Sequence, residues 1–487
     1  MKAKKVIQVF LLFCLIAFAS YNSYANDITL SNFSLTGQNS TNHSTMVKFD
    51  IAWENSFRMN SGPSNWDAAW VFVKYRIGTG EWQPAWLNNT GHFNPAGSVI
   101  STGLLDPALP FNAVTNPGLG VFIYRDADGT GTFSKTGVQL RWNYGANGVP
   151  DNETVQIQVF AIEMVYVPQG SFYVGSGGTE SGAFYKYPVT TDAYQITSEG
   201  AITVGTASDN LYYPSTTFGG DQNGPIPSAF PKGFNSFYCM KYEISQQGYV
   251  DFLNSLSGAQ AVIRYPNEFG NARYAISVSG GVYSTTNPYV ACNHLGWADL
   301  SAYLDWSGLR PMTELEFEKS CRGNQSTVPN EYAWGSTFII QNTGITNPGA
   351  NNEISSTPGA NCTYNNGVPG PMRVGAFATI SSTRVSSGAT YYGIMEMSGN
   401  TWERSVTVGN SIGRGFTGAH GNGLLDVSGN ADVLLWPGVN SDGSGFRGGI
   451  WTDTFPAYLL VSDRTYAAET WPNRHGSCGG RGVRSVQ

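Results

Sequence analysis

The chain has 487 residues, enough for two or three separately cored domains. Its 41% apolar and 13% charged content excludes the charge-rich, apolar-poor composition of a disordered chain. A net charge of −7, with no basic cluster, excludes a nucleic-acid binder and a protein drawn to anionic lipid.

The first 25 residues read as a secretory signal. Lys2, Lys4 and Lys5 open it, Val6 to Ala19 form its apolar stretch, and Ser23 and Ala25 place the cut before Asn26. That stretch is too short for a membrane span, and no other long apolar run follows. Cys14, behind Phe13 inside the apolar region, is a poor lipid acceptor. The mature protein is therefore expected to be exported, with periplasm, cell surface and secretion all open. Losing three lysines and no acid moves its net charge from −7 to −10.

Residues 26–161 alternate apolar and polar positions in short runs separated by Gly, Asn and Pro. Met46 to Trp53, Ala69 to Tyr75, Gly120 to Tyr124 and Thr154 to Phe160 are examples. Period-two runs between turn signals predict an all-β sandwich of immunoglobulin or fibronectin type, without helices. Asp126-Ala127-Asp128-Gly129-Thr130-Gly131 resembles part of a calcium loop but lacks the distal glutamate, so a hairpin turn is expected there.

A second pattern fills residues 162–487, in which 176–232 form a Gly-, Thr- and Ser-rich insertion. Three helices are expected: Ser245 to Leu256 behind a Ser245 N-cap, Gly296 to Trp306, and Thr313 to Cys321 behind a Thr313/Glu316 capping box. Glu314 and Glu318, one turn apart, can share a face. No nucleophile elbow, phosphate loop or dinucleotide fingerprint occurs.

Several short motifs stand in order along this second part. They are Val165-Tyr166-Val167-Pro168-Gln169-Gly170-Ser171-Phe172, Tyr242-Glu243-Ile244-Ser245, Arg310-Pro311-Met312-Thr313-Glu314-Leu315-Glu316-Phe317-Glu318 and Tyr332-Ala333-Trp334-Gly335. Gly399-Asn400-Thr401-Trp402-Glu403, Arg447-Gly448-Gly449-Ile450-Trp451 and Gly480-Arg481-Gly482-Val483-Arg484 complete the set. Together they resemble the formylglycine-generating enzyme (sulfatase-modifying factor) family. The resemblance implies an α+β, C-type-lectin-like fold with little regular structure, in which the acid-rich helix is structural and its acids cap or bridge loops.

Active members of that family oxidise a cysteine in a sulfatase peptide with O₂ and copper(I) held by two thiolates. The matching positions here are Val461 and Tyr466, neither a ligand for soft copper(I), so no copper is expected. By resemblance, calcium is the expected ion, held by the carboxylates of Glu396 and Glu403 and the carbonyls of Gly399 and Thr401. A second family calcium site maps to Asn361 and the Cys362 carbonyl. Trp451, Arg464, Tyr466, Trp471 and Arg474 fall where relatives form their substrate groove; core packing is the alternative for Trp451 and Arg464.

Five cysteines follow the signal: Cys239, Cys292, Cys321, Cys362 and Cys478. An odd number leaves at least one unpaired within the monomer, and no CxxC or CxxH spacing suggests zinc. Buried free thiols and one or two disulfides both remain open. The chain thus reads as a non-catalytic member of the family. It would serve as a structural or recognition module with a protein or glycan partner at a bacterial envelope, by analogy with envelope proteins of Bacteroidetes-like bacteria. The alternative is a divergent oxidase or another enzyme using the same groove; oligomeric state is not legible.

Overall fold

A computed structural model describes residues 28–379 and 381–486. The expected signal segment lies outside these residues. The alternating runs form strands: Ser44–Met59, Asn65–Ile77 and Gly118–Arg125 contain the first three runs named above, and Val155–Val167 contains the fourth except for Thr154. Ser44–Met59 pairs with Thr29–Asn39 on one side and Gly129–Trp142 on the other. Asn65–Ile77 pairs along its length with Val155–Val167 and also with Gly118–Arg125, which in turn pairs with Ser98–Leu104. The two layers enclose one core, with Val47, Phe49, Ile51 and Trp53 buried together with Val71, Val73, Val121, Ile123 and Val159.

The turn at Asp126–Gly131 differs from expectation. It is not a hairpin, because Gly129–Trp142 pairs with Ser44–Met59 and not with the strand that precedes the turn. The turn instead carries the chain between layers. Arg125 donates to the carbonyls of Gly131 (2.8 Å) and Thr132 (3.0 Å), and Asp128 accepts the Asn60 N–H at 2.9 Å. Local turn chemistry names a reversal but not the neighbour the next strand chooses.

The layer built on Asn65–Ile77 is buried on both faces. Its other face carries Ala68, Trp70, Phe72, Phe122, Phe160, Ile162 and Met164 into a second core shared with Tyr238, Phe252 and Trp306. The sheet also continues through that seam. The last residues of Val155–Val167 pair with Phe237–Met240, which pairs with Gly482–Ser485; Arg310–Thr313, Glu403–Val406 and Ser444–Arg447 follow, in a 13-stranded sheet. One strand therefore runs across position 161/162, where the sequence pattern changes. Side-chain bonds add to the seam: Trp70 Nε1 donates to the Ser307 carbonyl (2.8 Å) and Asn65 Nδ2 to that of Tyr392 (2.8 Å).

The three expected helices form as Gln246–Asn254, Trp297–Trp306 and Glu314–Arg322. Ser245 caps the first by accepting the Gly248 N–H, and Thr313 with Glu316 forms the capping box of the third. A further helix, Gly258–Arg264, has its own capping box at Ser257 and Gln260. It buries only Ala261 and Arg264 while Val262 and Ile263 face solvent, so it gives no apolar period to read. The 176–232 stretch is mostly loops with short pairs, such as Tyr185–Lys186 with Leu211–Tyr212. The protein is mostly sheet and loop with few helices. No helix among the described residues is long and apolar enough to cross a membrane.

Candidate functional site

The acid-rich helix Glu314–Arg322 organises the interior of the second part. Glu314 accepts from Arg447 Nη1 (2.9 Å), Arg464 Nε (2.7 Å), Thr407 Oγ1 (3.0 Å) and the Val408 N–H (2.8 Å). Glu318 takes the other arm of Arg447 (2.8 Å) together with Arg322 (3.1 Å), the Ser462 hydroxyl (3.1 Å) and the Gly175 N–H (2.8 Å). Arg310 grips Glu316, and Arg322 also holds Glu331. Burial works to raise the Glu314 carboxyl, but Arg464 and Arg447 overcome it and hold the group below the usual carboxylate range. Each acid bridges loops to the helix, and none is free for acid–base chemistry.

The expected calcium loop lies beside this network. Glu396, with φ of +56°, accepts the Gly375 N–H on Oε1 at 2.8 Å, while its Oε2 is buried without a partner. Glu403 accepts from Arg481 Nε at 2.5 Å, and its Oε2 is likewise buried and unpartnered. Glu243 joins them, taking the N–H (2.9 Å) and hydroxyl (2.7 Å) of Thr401 and the Asn400 side-chain amide. Arg481 also donates to the carbonyls of Met240 (3.2 Å), Lys241 (3.2 Å) and Met395 (2.8 Å). Burial, aided by the neighbouring carboxylates, pushes Glu243 up to about 8 and Glu396 up to about 7; Glu403 is raised as well. Glu243 and Arg481 both sit in motifs visible in the sequence, yet nothing local assigns them to this cluster.

The donor chemistry fits a hard cation. Glu396 and Glu403 each have one unpartnered buried carboxylate oxygen, and the Gly399 and Thr401 carbonyls between them in sequence accept no hydrogen bond from a described residue. Gly399 is required by packing: a Cβ there would lie 2.5 Å from Cys362 Sγ and 2.6 Å from the Thr363 carbonyl. Among the described residues no cluster of three or more His, Cys, Asp or Glu could hold a metal, so carbonyls would have to complete any site. Asn361 is used differently. Its side chain accepts the Ile340 N–H (2.9 Å) and donates to the Val385 carbonyl (2.9 Å), while the Cys362 carbonyl accepts the Asn342 N–H (2.8 Å).

The five residues expected in a groove separate. Arg464 is fully buried, stacked on Phe184 (4.2 Å) and Tyr213 (4.3 Å) and bonded to Glu314, so it belongs to the interior. Arg474 lies across Asp299 with two contacts of 2.7 Å, its side chain 30% exposed. Trp451 is half-buried and donates to the Gly476 carbonyl at 3.0 Å. Tyr466 and Trp471, also half-buried, join Trp402, Phe446, Ile450 and Cys478 in one aromatic cluster. Val461 lies in a different core with Leu459, Cys321 and Cys362. All five described cysteines are free, buried thiols, and burial raises every one of them, Cys239 to about 12.

The model of the sulfatase-modifying factor enzyme 1-like domain matches residues 150–458, well over half of the chain. The chain belongs to this family. The sulfatase-modifying factor-like match opens just ahead of the strand Val155–Val167 that joins the two cores. It ends before Val461 and Tyr466, so those two positions lie outside it. No curated protein matches the chain.

Proposed function

We propose that this chain is an exported, non-catalytic member of the sulfatase-modifying factor family, acting as a structural or recognition module of a bacterial envelope or cell surface. The observation that carries the reading is the state of its thiols. Copper(I) chemistry of the family's kind uses paired thiolates, whereas these five thiols are buried, and burial disfavours the thiolate form of each. Val461 and Tyr466 at the expected ligand positions support the same reading. The half-buried Trp451, Tyr466 and Trp471 are the recognition residues, with a protein or glycan as the partner. We read the two-layered first part as an immunoglobulin- or fibronectin-like sandwich and the remainder as C-type-lectin-like; the enclosed core and the short-stranded, loop-rich second part support these readings. Capture from native envelope extract by the mature protein, set against a Tyr466→Ala/Trp471→Ala variant, tests the recognition surface. Loss of a specific partner in the variant is expected, and capture of the same partners by both would refute the assignment.

Glu396 and Glu403, with the Gly399 and Thr401 carbonyls, are read as a structural calcium cradle. The bound ion would supply the positive charge that their buried oxygens lack and brace the loop. Saturating calcium at about 100 times its dissociation constant should stabilise the fold by about 2.7 kcal/mol. Glu403→Ala should abolish the thermal shift; an unchanged shift would refute the cradle.

In chelator the sign of the pH dependence is set. The folded-state values of Glu243 and Glu396 lie above the unfolded carboxylate value, so their contribution is complete below about pH 4.5 and is lost as pH rises through about 7–8. Glu396→Gln keeps the acceptor for Gly375 and removes the titration. It should be more stable than the wild type at about pH 8 by about 1–3 kcal/mol, and no more stable at about pH 4. Equal melting curves at both pH values would contradict this.

A further inference from the structure

A cleft in this protein lies apart from the terminal aromatic segment. It holds about 580 Å³, within the roughly 300–1,000 Å³ over which ligand clefts are found. The antiparallel pair Phe172–Val174 and Tyr194–Ile196 lines one side. Loop residues 191–193 and 326–327, with Lys186 and Asp209, complete it. All of these except Ser326 and Thr327 lie in the 176–232 insertion or at its border.

Its chemistry is mainly polar. Tyr173 and Tyr194 are half-buried, and neither ring is stacked on another ring among the described residues, so both can offer contact to a ligand. Between them stand a carboxylate, an amide and hydroxyls: Asp192, Gln195, Thr191, Ser326 and Thr327. Their side chains make no hydrogen bond to a described residue. Lys186 and Asp209 pair at 3.4 Å and neutralise each other, leaving Asp192 as the unbalanced charge. An acidic cleft disfavours phosphate, nucleic acid and anionic sugars. Its polar lining disfavours an apolar peptide side chain, which would strand those groups without water.

We propose that this cleft binds a neutral oligosaccharide. A carboxylate and an amide can each bond two neighbouring sugar hydroxyls, and tyrosine rings suit the apolar C–H face of a pyranose while their hydroxyls suit its rim. The cleft is preformed. The Tyr173 carbonyl accepts from Arg322 Nη1 at 2.8 Å, which fixes one wall to the buried ion-pair network. This assignment does not depend on the reading of Tyr466 and Trp471.

The test is calorimetric titration of the full mature chain with cellotriose, chitotriose and maltotriose, and with trigalacturonate as the anionic arm. At least one neutral trisaccharide should bind. Asp192→Ala and Gln195→Ala, both at exposed positions, should each weaken that binding by about tenfold, and Ser326→Trp should block it, with thermal unfolding unchanged in all three. The proposal is overturned if none of the neutral sugars binds at 10 mM, roughly the weakest affinity of interest. It is equally overturned if trigalacturonate alone binds, or if the three variants bind as the wild type does.

Discussion

Glu314→Ala is expected to destabilise the protein by about 3–5 kcal/mol, the range for breaking a buried ion pair from one side. Glu314 is fully buried and serves two guanidinium groups at once. Arg447 would keep Glu318, but Arg464 would retain only the carbonyls of Gly182 (3.2 Å) and Gly219 (3.3 Å) and its two aromatic neighbours. An unpaired charge would then remain inside. Adding Arg464→Met should recover part of the loss, because it removes that charge while keeping apolar volume. Denaturant midpoints read the effect directly. A loss under about 1 kcal/mol would mean that the network is solvated and behaves like a surface pair.

Trp70→Ala is expected to cost about 3–5 kcal/mol and to lower one transition shared by the whole chain. The indole is fully buried on the face of its strand that meets the second core. It packs at a tilt against Phe122 with ring centres 4.8 Å apart, and the Arg484 guanidinium lies 4.3 Å above it. It also fits over two glycines: a Cβ at Gly103 would lie 2.6 Å from the indole, and one at Gly120 would lie 2.7 Å away. Because the same sheet carries both cores, they should melt together. Calorimetry should show one transition that moves as a unit. Two resolved transitions, with only one displaced by Trp70→Ala, would contradict the shared sheet.

Period and capping chemistry made the elements legible in the sequence. The strands of the first part and the three longer helices follow from alternation and from Ser245 and Thr313 as caps. The seam was harder to read, although its signal is present: Ala68-Ala69-Trp70-Val71-Phe72-Val73 is a continuous apolar run, the pattern of a strand buried on both faces. Read as half-buried alternation, it implies two modules where one strand serves both cores.

The candidate site divides in the same way. Short-range features placed Glu314, Glu316 and Glu318 on one helix and brought Glu396 and Glu403 to the two ends of one short segment, the second opening the strand Glu403–Val406. Long-range pairing was invisible, because Glu243 meets Thr401 across 158 residues and Arg481 meets Glu403 across 78. Arg464 could not be assigned to the interior for the same reason. Its aromatic walls, Phe184 and Tyr213, come from the inserted stretch, whose sequence carries no period.

Anaerobic copper(I) titration of the mature chain, followed by oxygen uptake and mass spectrometry with a cysteine-containing sulfatase peptide, bears most directly on the proposal that the chain is non-catalytic. The expected result is no stoichiometric copper binding, no peptide-dependent oxygen consumption and an unmodified cysteine. Near-stoichiometric copper binding, with oxygen consumed and the cysteine converted to formylglycine, would contradict it.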